Sequence, residues 1–234
     1  PVCGMLANGD TGDGKLPSEE TLVSYVVREL AHEKDLHGKK VLVTAGPTQE
    51  AIDPVRYITN HSTGKMGYAL AEAAMLRGAE VTLISGPTAI EPPMFVNVIP
   101  IISAQEMFEK VATNATENDI IIKAAAVADY RPKEVCDEKI KKSDHDTEIE
   151  LERTTDILAY LGKNKGKTFL CGFSMETENM LENSRRKLDK KNLDMIVANN
   201  LKDKGAGFGV DTNLITIITR DRELQLELMS KQDA

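Results

Sequence analysis

The sequence contains no tryptophan, and its aromatic residues amount to 4% of 234 positions. A surface that stacks bases needs aromatic platforms, so this scarcity argues against a single-stranded nucleic-acid binder. Basic residues are also in the minority: 29 Lys and Arg stand against 37 Asp and Glu, a net charge of −8. That balance opposes non-specific attachment to a phosphate backbone. No apolar run approaches the roughly 20 residues of a membrane helix, and no stretch has the form of a signal-peptide core. Cysteine is scarce too. Cys3, Cys136 and Cys171 are too few and too scattered for a disulfide framework or a zinc site. The expectations are a cytoplasmic protein with neither nucleic acid nor membrane as partner. With 41% hydrophobic and 28% charged residues, the chain has what a buried core and a solvated surface require.

The opening residues 1–18 (PVCGMLANGDTGDGKLPS) carry four glycines and two prolines with little apolar periodicity, and they read as loop. Ser18 before Glu19, Glu20 and Thr21 is a helix N-cap signal, and Leu22, Val26 and Leu30 continue at helical spacing. Residues 32–40 are polar and read as a linker. From Lys40 onward, short apolar runs alternate with helical patterns. The strand runs are 41–45 (VLVTA), 80–85 (EVTLIS), 96–102, 119–127 with its turn, 168–172, 193–198 and 214–219. Helices are expected at 67–77, 104–113, 154–161, 177–190 and 222–231. This alternation predicts an α/β fold, a three-layer, Rossmann-like, doubly wound and mostly parallel sheet. The expected division is residues 1–38 as a preceding segment and 39–234 as the main domain. Such sheets bind ligands beyond the carboxyl ends of their strands, where strand order reverses. The loops following the strands are therefore the candidates: 46–65, 124–142, 172–178 and 199–213.

Loop 46–65 is too long for a plain connection. It begins at Gly46 and runs into Ser62-Thr63-Gly64-Lys65-Met66-Gly67, with hydroxyls, glycines and a lysine at a helix start. A helix N-terminus of that kind favours an anion, typically phosphate; the alternative is an ordinary glycine-rich cap. It is neither a Walker A sequence nor GxGxxG. Asn60 offers a neutral carboxamide that can donate to an oxygen gaining charge during acyl transfer, or it fixes its own turn. His61 has no acidic partner at a telling spacing. In the second loop, Ala124 to Ala126 allow a flat ring or sugar to approach the backbone, or they serve tight packing. Asp129 is placed to hold a hard cation, or to cap a helix. Lys139, Lys141 and Lys142 form a basic run in an acidic chain, either a solvated face or a lid that brings charge to phosphates. Lys187 and Lys191, four apart on an expected helix, lie on one face and with Phe173 form the third candidate group: they offer point charges to the phosphates or a base carbonyl of a nucleotide, or they serve surface solubility. Asn199, Asn200 and the segment 205–213 (GAGFGVDTN) either line the site or turn the chain.

The runs VTAGPTQEAIDPVRYITNHSTGKMGYALAEAA (43–74), KAAAVADYRP (123–132), EKIKK (138–142), GFSMET (172–177) and KNLDMIVAN (191–199) closely resemble bacterial phosphopantothenate–cysteine ligases. The resemblance extends from about Lys39 to near the C-terminus. It implies an enzyme that activates the carboxylate of 4′-phosphopantothenate with CTP, passes through an acyl-cytidylate, and joins it to L-cysteine with release of pyrophosphate and CMP. It also implies a Mg2+ or Mn2+ ion held by Asp129, and a homodimer in which residues 132–153 lie at the interface. Position by position, it gives Asn60 and Lys139 catalytic roles. It places the nucleotide against Lys123, Ala124, Ala125, Asp129, Thr155, Asp156, Ile157, Leu158, Phe173, Lys187 and Lys191; Gly46, Ser62 and Gly64 of the long loop are the further nucleotide-binding candidates. At residues 154–158 the chain reads TTDIL where relatives often read NPDIL.

The opening residues 6–18 resemble the closing motif of an FMN-dependent phosphopantothenoylcysteine decarboxylase, which is usually fused ahead of the ligase. Asn8 stands where that motif has its catalytic cysteine. The resemblance thus implies FMN only in a decarboxylase half, and no decarboxylation by these 234 residues. A nicotinamide oxidoreductase and a non-catalytic nucleotide-binding module are the other readings. The former lacks GxGxxG and a Tyr-x-x-x-Lys couple. The latter needs neither Asn60 nor Lys139 on loops at the ligand end of the sheet.

Overall fold

A computed structural model describes residues 2–5, 8–142, 148–176, 178–200 and 209–233. In chain order the elements are β1 (Val2–Met5), β2 (Thr11–Lys15), α1 (Glu19–Leu30), β3 (Lys40–Ala45), β4 (Gln49–Ala51), β5 (Tyr57–Thr59), α2 (Lys65–Leu76), β6 (Glu80–Ser85) and β7 (Asn97–Pro100). They continue with α3 (Ala104–Asn114), β8 (Ile120–Lys123), β9 (Tyr130–Pro132), β10 (Leu151–Arg153), α4 (Ile157–Asn164), β11 (Phe169–Glu176), α5 (Met180–Lys190) and β12 (Met195–Asn200). The last are β13 (Thr212–Asn213), β14 (Thr216–Thr219), β15 (Glu223–Gln225) and β16 (Met229–Ser230).

Eight strands form one sheet in the order β15-β14-β12-β11-β8-β3-β6-β7. The six from β12 to β7 are parallel, and β14 and β15 add an antiparallel edge. Continuous apolar runs such as VLVTA are what a strand covered on both faces requires. Alternate residues accordingly serve different layers. Leu42 packs with Ile84, Ile121 and Leu170 against Met107, Leu161 and Leu188 from α3, α4 and α5. Val41, Val43 and Leu83 pack against Ala71, Ala74 and Met75 of α2. The result is the three-layer, doubly wound arrangement expected from the alternating pattern.

From β3 the chain proceeds outward to β6 and β7, then returns to place β8 on the other side of β3. Strand order therefore reverses between β3 and β8. Their carboxyl ends, and the loops that leave them, form the ligand-side crevice of such a sheet.

Two expectations are corrected at the chain ends. The glycine-rich opening is an antiparallel hairpin of β1 with β2, turned through Gly9 at φ +88°. Backbone pairing needs no apolar alternation, so composition alone concealed it. The expected terminal helix 222–231 is instead β15 and β16. Leu224, Leu226 and Leu228 recur every second residue, the period of a strand, and the N–H of Leu226 donates to the carbonyl of Ile215 at 3.0 Å. Smaller shifts affect α4, which begins only after its Asp156 cap, and α5, which begins at Met180. The long loop after β3 also contains a small hairpin, β4 with β5, and residues 130–132 pair within the chain to 151–153.

Candidate active site

The loops after β3 and β8 are stitched together by buried threonines. Thr44 Oγ1 accepts the Ala125 N–H at 3.2 Å, and Thr48 Oγ1 accepts the Ala128 N–H at 3.0 Å. The Ala126 N–H donates to the Gly46 carbonyl at 2.9 Å, extending the β3–β8 ladder past both strand ends. Short alanines permit this approach, and larger side chains here would fill the crevice.

Above this seam lies a cleft of about 360 Å³. The α2 start, residues 62–67, forms one wall, and Lys123 with Ala124 to Val127 forms the floor. Asn60, Asp129, Phe173, Met175, Asn199, Asn213 and Lys231 complete the lining. A smaller hollow of about 120 Å³ continues from it under Thr154 to Leu158, Lys187 and Lys191. Lys123, Val127, Asp129 and Phe173 belong to both, so the two form one elongated site.

Gly64 supplies the turn into α2 at φ +82°, and the Ser62 Oγ accepts its N–H at 3.3 Å. The first turn of this 12-residue helix thus directs backbone N–H groups and the positive dipole end at the cleft. Asn60 sits on the rim, its Nδ2 donating to the Ala126 carbonyl at 3.0 Å. That bond fixes the carboxamide over the alanine floor and leaves its second N–H for a ligand.

Cations dominate the deeper end. Burial, with Lys191 nearby, pushes the Lys123 ammonium down to about 8. Lys191 pairs with Asp156 at 3.0 Å. Burial opposes the charge on Asp156, but the Ala159 N–H it caps and Lys191 outweigh burial and hold the carboxyl below its ordinary value. Lys187 donates to Glu176 at 2.5 Å and to Ser174 Oγ at 3.2 Å. Asp129 is the only carboxylate among the described residues lining the larger cleft. Among those residues no group of three or more His, Cys, Asp or Glu forms a preformed metal cage.

Most of the expected site residues therefore converge. Asn60, Ser62, Gly64, Lys123, Ala124, Ala125, Asp129 and Phe173 line the larger cleft, and Thr155, Asp156, Ile157, Leu158, Lys187 and Lys191 line the smaller one. Two do not. Gly46 lines neither hollow, and a Cβ there would meet the Gly86 carbonyl oxygen at 3.0 Å, so the position is packed against that carbonyl. Lys139 is exposed and lines neither hollow, because its loop turns toward the β4–β5 hairpin. Asn199 and Asn213, left open by the sequence, both line the cleft. Of the segment 205–213, residues 205–208 lie outside the described residues, as does Thr177.

Sequence reading missed Lys231, and Glu176 as the partner of Lys187. Lys231 is 8% exposed and reaches the cleft from the end of the β13–β16 pair, its Nζ donating to the Val210 carbonyl at 2.6 Å. The expectation of a terminal helix hid it. Lys65, noted at the helix start, joins the same wall through Asp211 at 2.6 Å.

A doubly wound sheet with a helix start, a cluster of lysines and an alanine floor meeting in a cleft at its switch point is the ligand-site architecture of a Rossmann-like α/β protein. The description "DNA/pantothenate metabolism flavoprotein C-terminal domain" matches residues 36–234, and the chain belongs to that family. It is 50% identical over 237 residues to the coenzyme A biosynthesis bifunctional protein CoaBC of Bacillus subtilis, covering 100% of this chain and 58% of that protein. A cysteine/cysteine sulfinic acid decarboxylase from an unknown prokaryotic organism is 48% identical over 238 residues, with 99% and 66% covered. The crystal structure of the C-terminal domain of a coenzyme A biosynthesis bifunctional protein CoaBC superposes with a TM-score of 0.73 at 47% identity, covering 85% of this chain and 90% of that one. The chain spans less than two thirds of the length of these two full-length relatives.

Proposed function

We propose that residues 39–234 form a CTP-dependent phosphopantothenate–cysteine ligase of coenzyme A biosynthesis. The observation that carries this reading is the single elongated site, which brings Asn60, the α2 start, Lys123, Asp129 and Phe173 together at the strand-order switch. A carboxylate is inert to amines at neutral pH, so it must first be activated. A carboxylate oxygen of 4′-phosphopantothenate attacks the α-phosphorus of CTP, and the bond to pyrophosphate breaks. The amine of L-cysteine then attacks the acyl carbon, the C–O bond to CMP breaks, and the amine loses its proton. Both steps need positioning and charge stabilisation more than covalent help from the protein.

In this reading Lys123, Lys187 and Lys191 with residues 155–158 hold the nucleotide, and the α2 start with Ser62 and Gly64 receives phosphate. Asn60 donates to the oxygen that gains charge on the acyl carbon. Mg2+ or Mn2+ typically uses one or two carboxylates and completes its shell with substrate phosphates, so the lone Asp129 fits such an ion. The ion would neutralise phosphate charge. Homodimer formation belongs to the same reading and is supported by exposed Tyr130, Val135, Ile149 and Leu151 around the β9–β10 pair. FMN would belong to a decarboxylase half in longer relatives.

The test is to supply CTP, 4′-phosphopantothenate and L-cysteine with Mg2+ and follow pyrophosphate and the amide product. Pyrophosphate release that requires the pantothenate compound supports the assignment. Release that ignores it, or carbon dioxide released from cysteine in its place, overturns the assignment.

Two further outcomes are expected. Phosphates favour the Lys123 ammonium, which in the free protein is lost above about 8. CTP affinity should therefore fall as pH rises from about 7.5 to 9.5, by up to about tenfold per unit. Lys123→Gln should flatten the profile measured by calorimetry; a flat wild-type profile contradicts this placement. Lys139→Gln should leave CTP binding within about threefold and slow product formation by about ten- to a hundredfold, the scale of one lost charge contact in the transition state. Equal single-turnover rates for both proteins would remove Lys139 from the reaction.

A further inference from the structure

Asp53 lies in the turn between β4 and β5, on the outside of the molecule, yet its side chain is fully buried. A carboxylate is almost never buried unless paired and hydrogen-bonded, and this one is saturated. Its Oδ1 accepts the N–H groups of Val55 at 2.9 Å and Arg56 at 2.8 Å, which closes the turn. Its Oδ2 accepts Nε and Nη2 of Arg56 and, from 87 residues further along the chain, the N–H of Ile140 at 3.1 Å. Arg56 Nη2 also donates to the carbonyl of Ile140 at 2.9 Å. The Asp53–Arg56 pair therefore grips the N–H and the carbonyl of one residue, and that residue is the immediate neighbour of Lys139. The Arg56 guanidinium and the three backbone N–H groups hold the Asp53 carboxyl well below the usual carboxylate range.

The rest of that loop has few anchors. The Lys133 N–H donates to the Glu150 carbonyl at 2.9 Å, and the Cys136 N–H donates to the Ile52 carbonyl at 3.0 Å. Beyond Cys136, among the described residues, the Asp53–Arg56 grip on Ile140 is the backbone tie of residues 137–142. The same hairpin continues through β5 directly into Asn60, which is itself fixed over the alanine floor. One buried carboxylate thus joins the segment carrying Asn60 to the segment carrying Lys139.

We propose that Asp53 is a positioning residue that, through Arg56 and the backbone of Ile140, sets the place of Lys139 relative to Asn60. The inference rests on the ligase reading for its kinetic consequence, while its structural consequence can be read without any substrate. Asp53→Asn keeps the size and the turn-closing oxygen but removes the charge that Arg56 and the Ile140 N–H require. Arg56→Lys keeps a cation but loses the fork that reaches both Asp53 and the Ile140 carbonyl.

Both variants, made in the full chain, are to be digested with trypsin under native conditions and followed by mass spectrometry at Lys139, Lys141 and Lys142. Release of the tie should speed cleavage there by about tenfold or more, the scale of one lost charge-assisted hydrogen bond, with unchanged cleavage elsewhere in the domain. In single-turnover assays, Asp53→Asn should slow the same step as Lys139→Gln, and the double variant should be no slower than the slower single variant. Unchanged cleavage at all three lysines in both variants overturns the proposal, as does full additivity in the double variant. If Lys139→Gln alone proves silent, the role given to Lys139 in the reaction fails, and the cleavage result still decides whether Asp53 holds the loop.

Discussion

Asn60→Asp is expected to lower ligase turnover by about a hundredfold or more while leaving the melting temperature nearly unchanged. The carboxamide donates to the Ala126 carbonyl at 3.0 Å and offers its second N–H toward the cleft. A carboxylate of the same shape can do neither at neutral pH. It also places a negative charge where the acyl carbon's oxygen and the adjoining phosphate gain theirs. Loss of one such donor alone costs about 10²- to 10³-fold in related acyl-transfer sites. Asn60 is exposed on the rim, so the core does not depend on it. The assay is single-turnover pyrophosphate release together with thermal melting. Turnover within about threefold of wild type would remove Asn60 from the reaction; a large drop in melting temperature would reassign it to the fold.

Gly86→Ala carries the largest expected effect on stability. Gly86 directly follows β6, and an added Cβ would lie 1.8 Å from the carbonyl oxygen and 2.9 Å from the carbonyl carbon of Pro47. Both are backbone atoms, so no side-chain rotation relieves the clash. Moving Gly86 away breaks its N–H bond to the Ala45 carbonyl at 3.0 Å, and moving Pro47 disturbs its bridge to Ala126. The same seam includes Gly46, where a Cβ would meet Gly86 and Thr88, and Gly64, where a Cβ would meet Thr88 and the backbone of Gly46. Overpacking typically costs about 1–3 kcal/mol when neighbours can yield, so a backbone clash of this closeness should cost at least about 3 kcal/mol. For a chain of this size that is a fall of about 6–12 °C in melting temperature. Gly166→Ala is the comparison: nothing lies within 4 Å of its Cβ, and only its φ of +56° resists substitution. Equal melting temperatures for the two variants would show that the seam tolerates expansion.

Most of the central sheet was legible because parallel strands buried on both faces announce themselves as short apolar runs, as at 41–45 and 80–85. Loop positions followed from topology, since the switch between β3 and β8 selects the loops carrying Asn60 and Asp129. Legibility ended where the backbone or long-range pairing decides. The β1–β2 hairpin has no apolar signature, and the leucines at 224, 226 and 228 alternate over too short a stretch to separate strand from helix without the pairing of β15 to β14. Lys231 reaches the cleft only because β16 pairs with β13, a contact no local pattern encodes. Asp53 likewise looks like an ordinary turn residue until Ile140, 87 positions away, is brought to it. Gly46 shows a constraint no local pattern displays: glycine is required there because a Cβ would meet the Gly86 carbonyl oxygen at 3.0 Å.

The most direct test of the account is a crystal structure with CTP and Mg2+ bound. The phosphates are expected between the α2 start, Lys123 and Asp129, with the base in the hollow beside Phe173, Lys187 and Lys191. Nucleotide density elsewhere, with the crevice between β3 and β8 left to solvent, would contradict it.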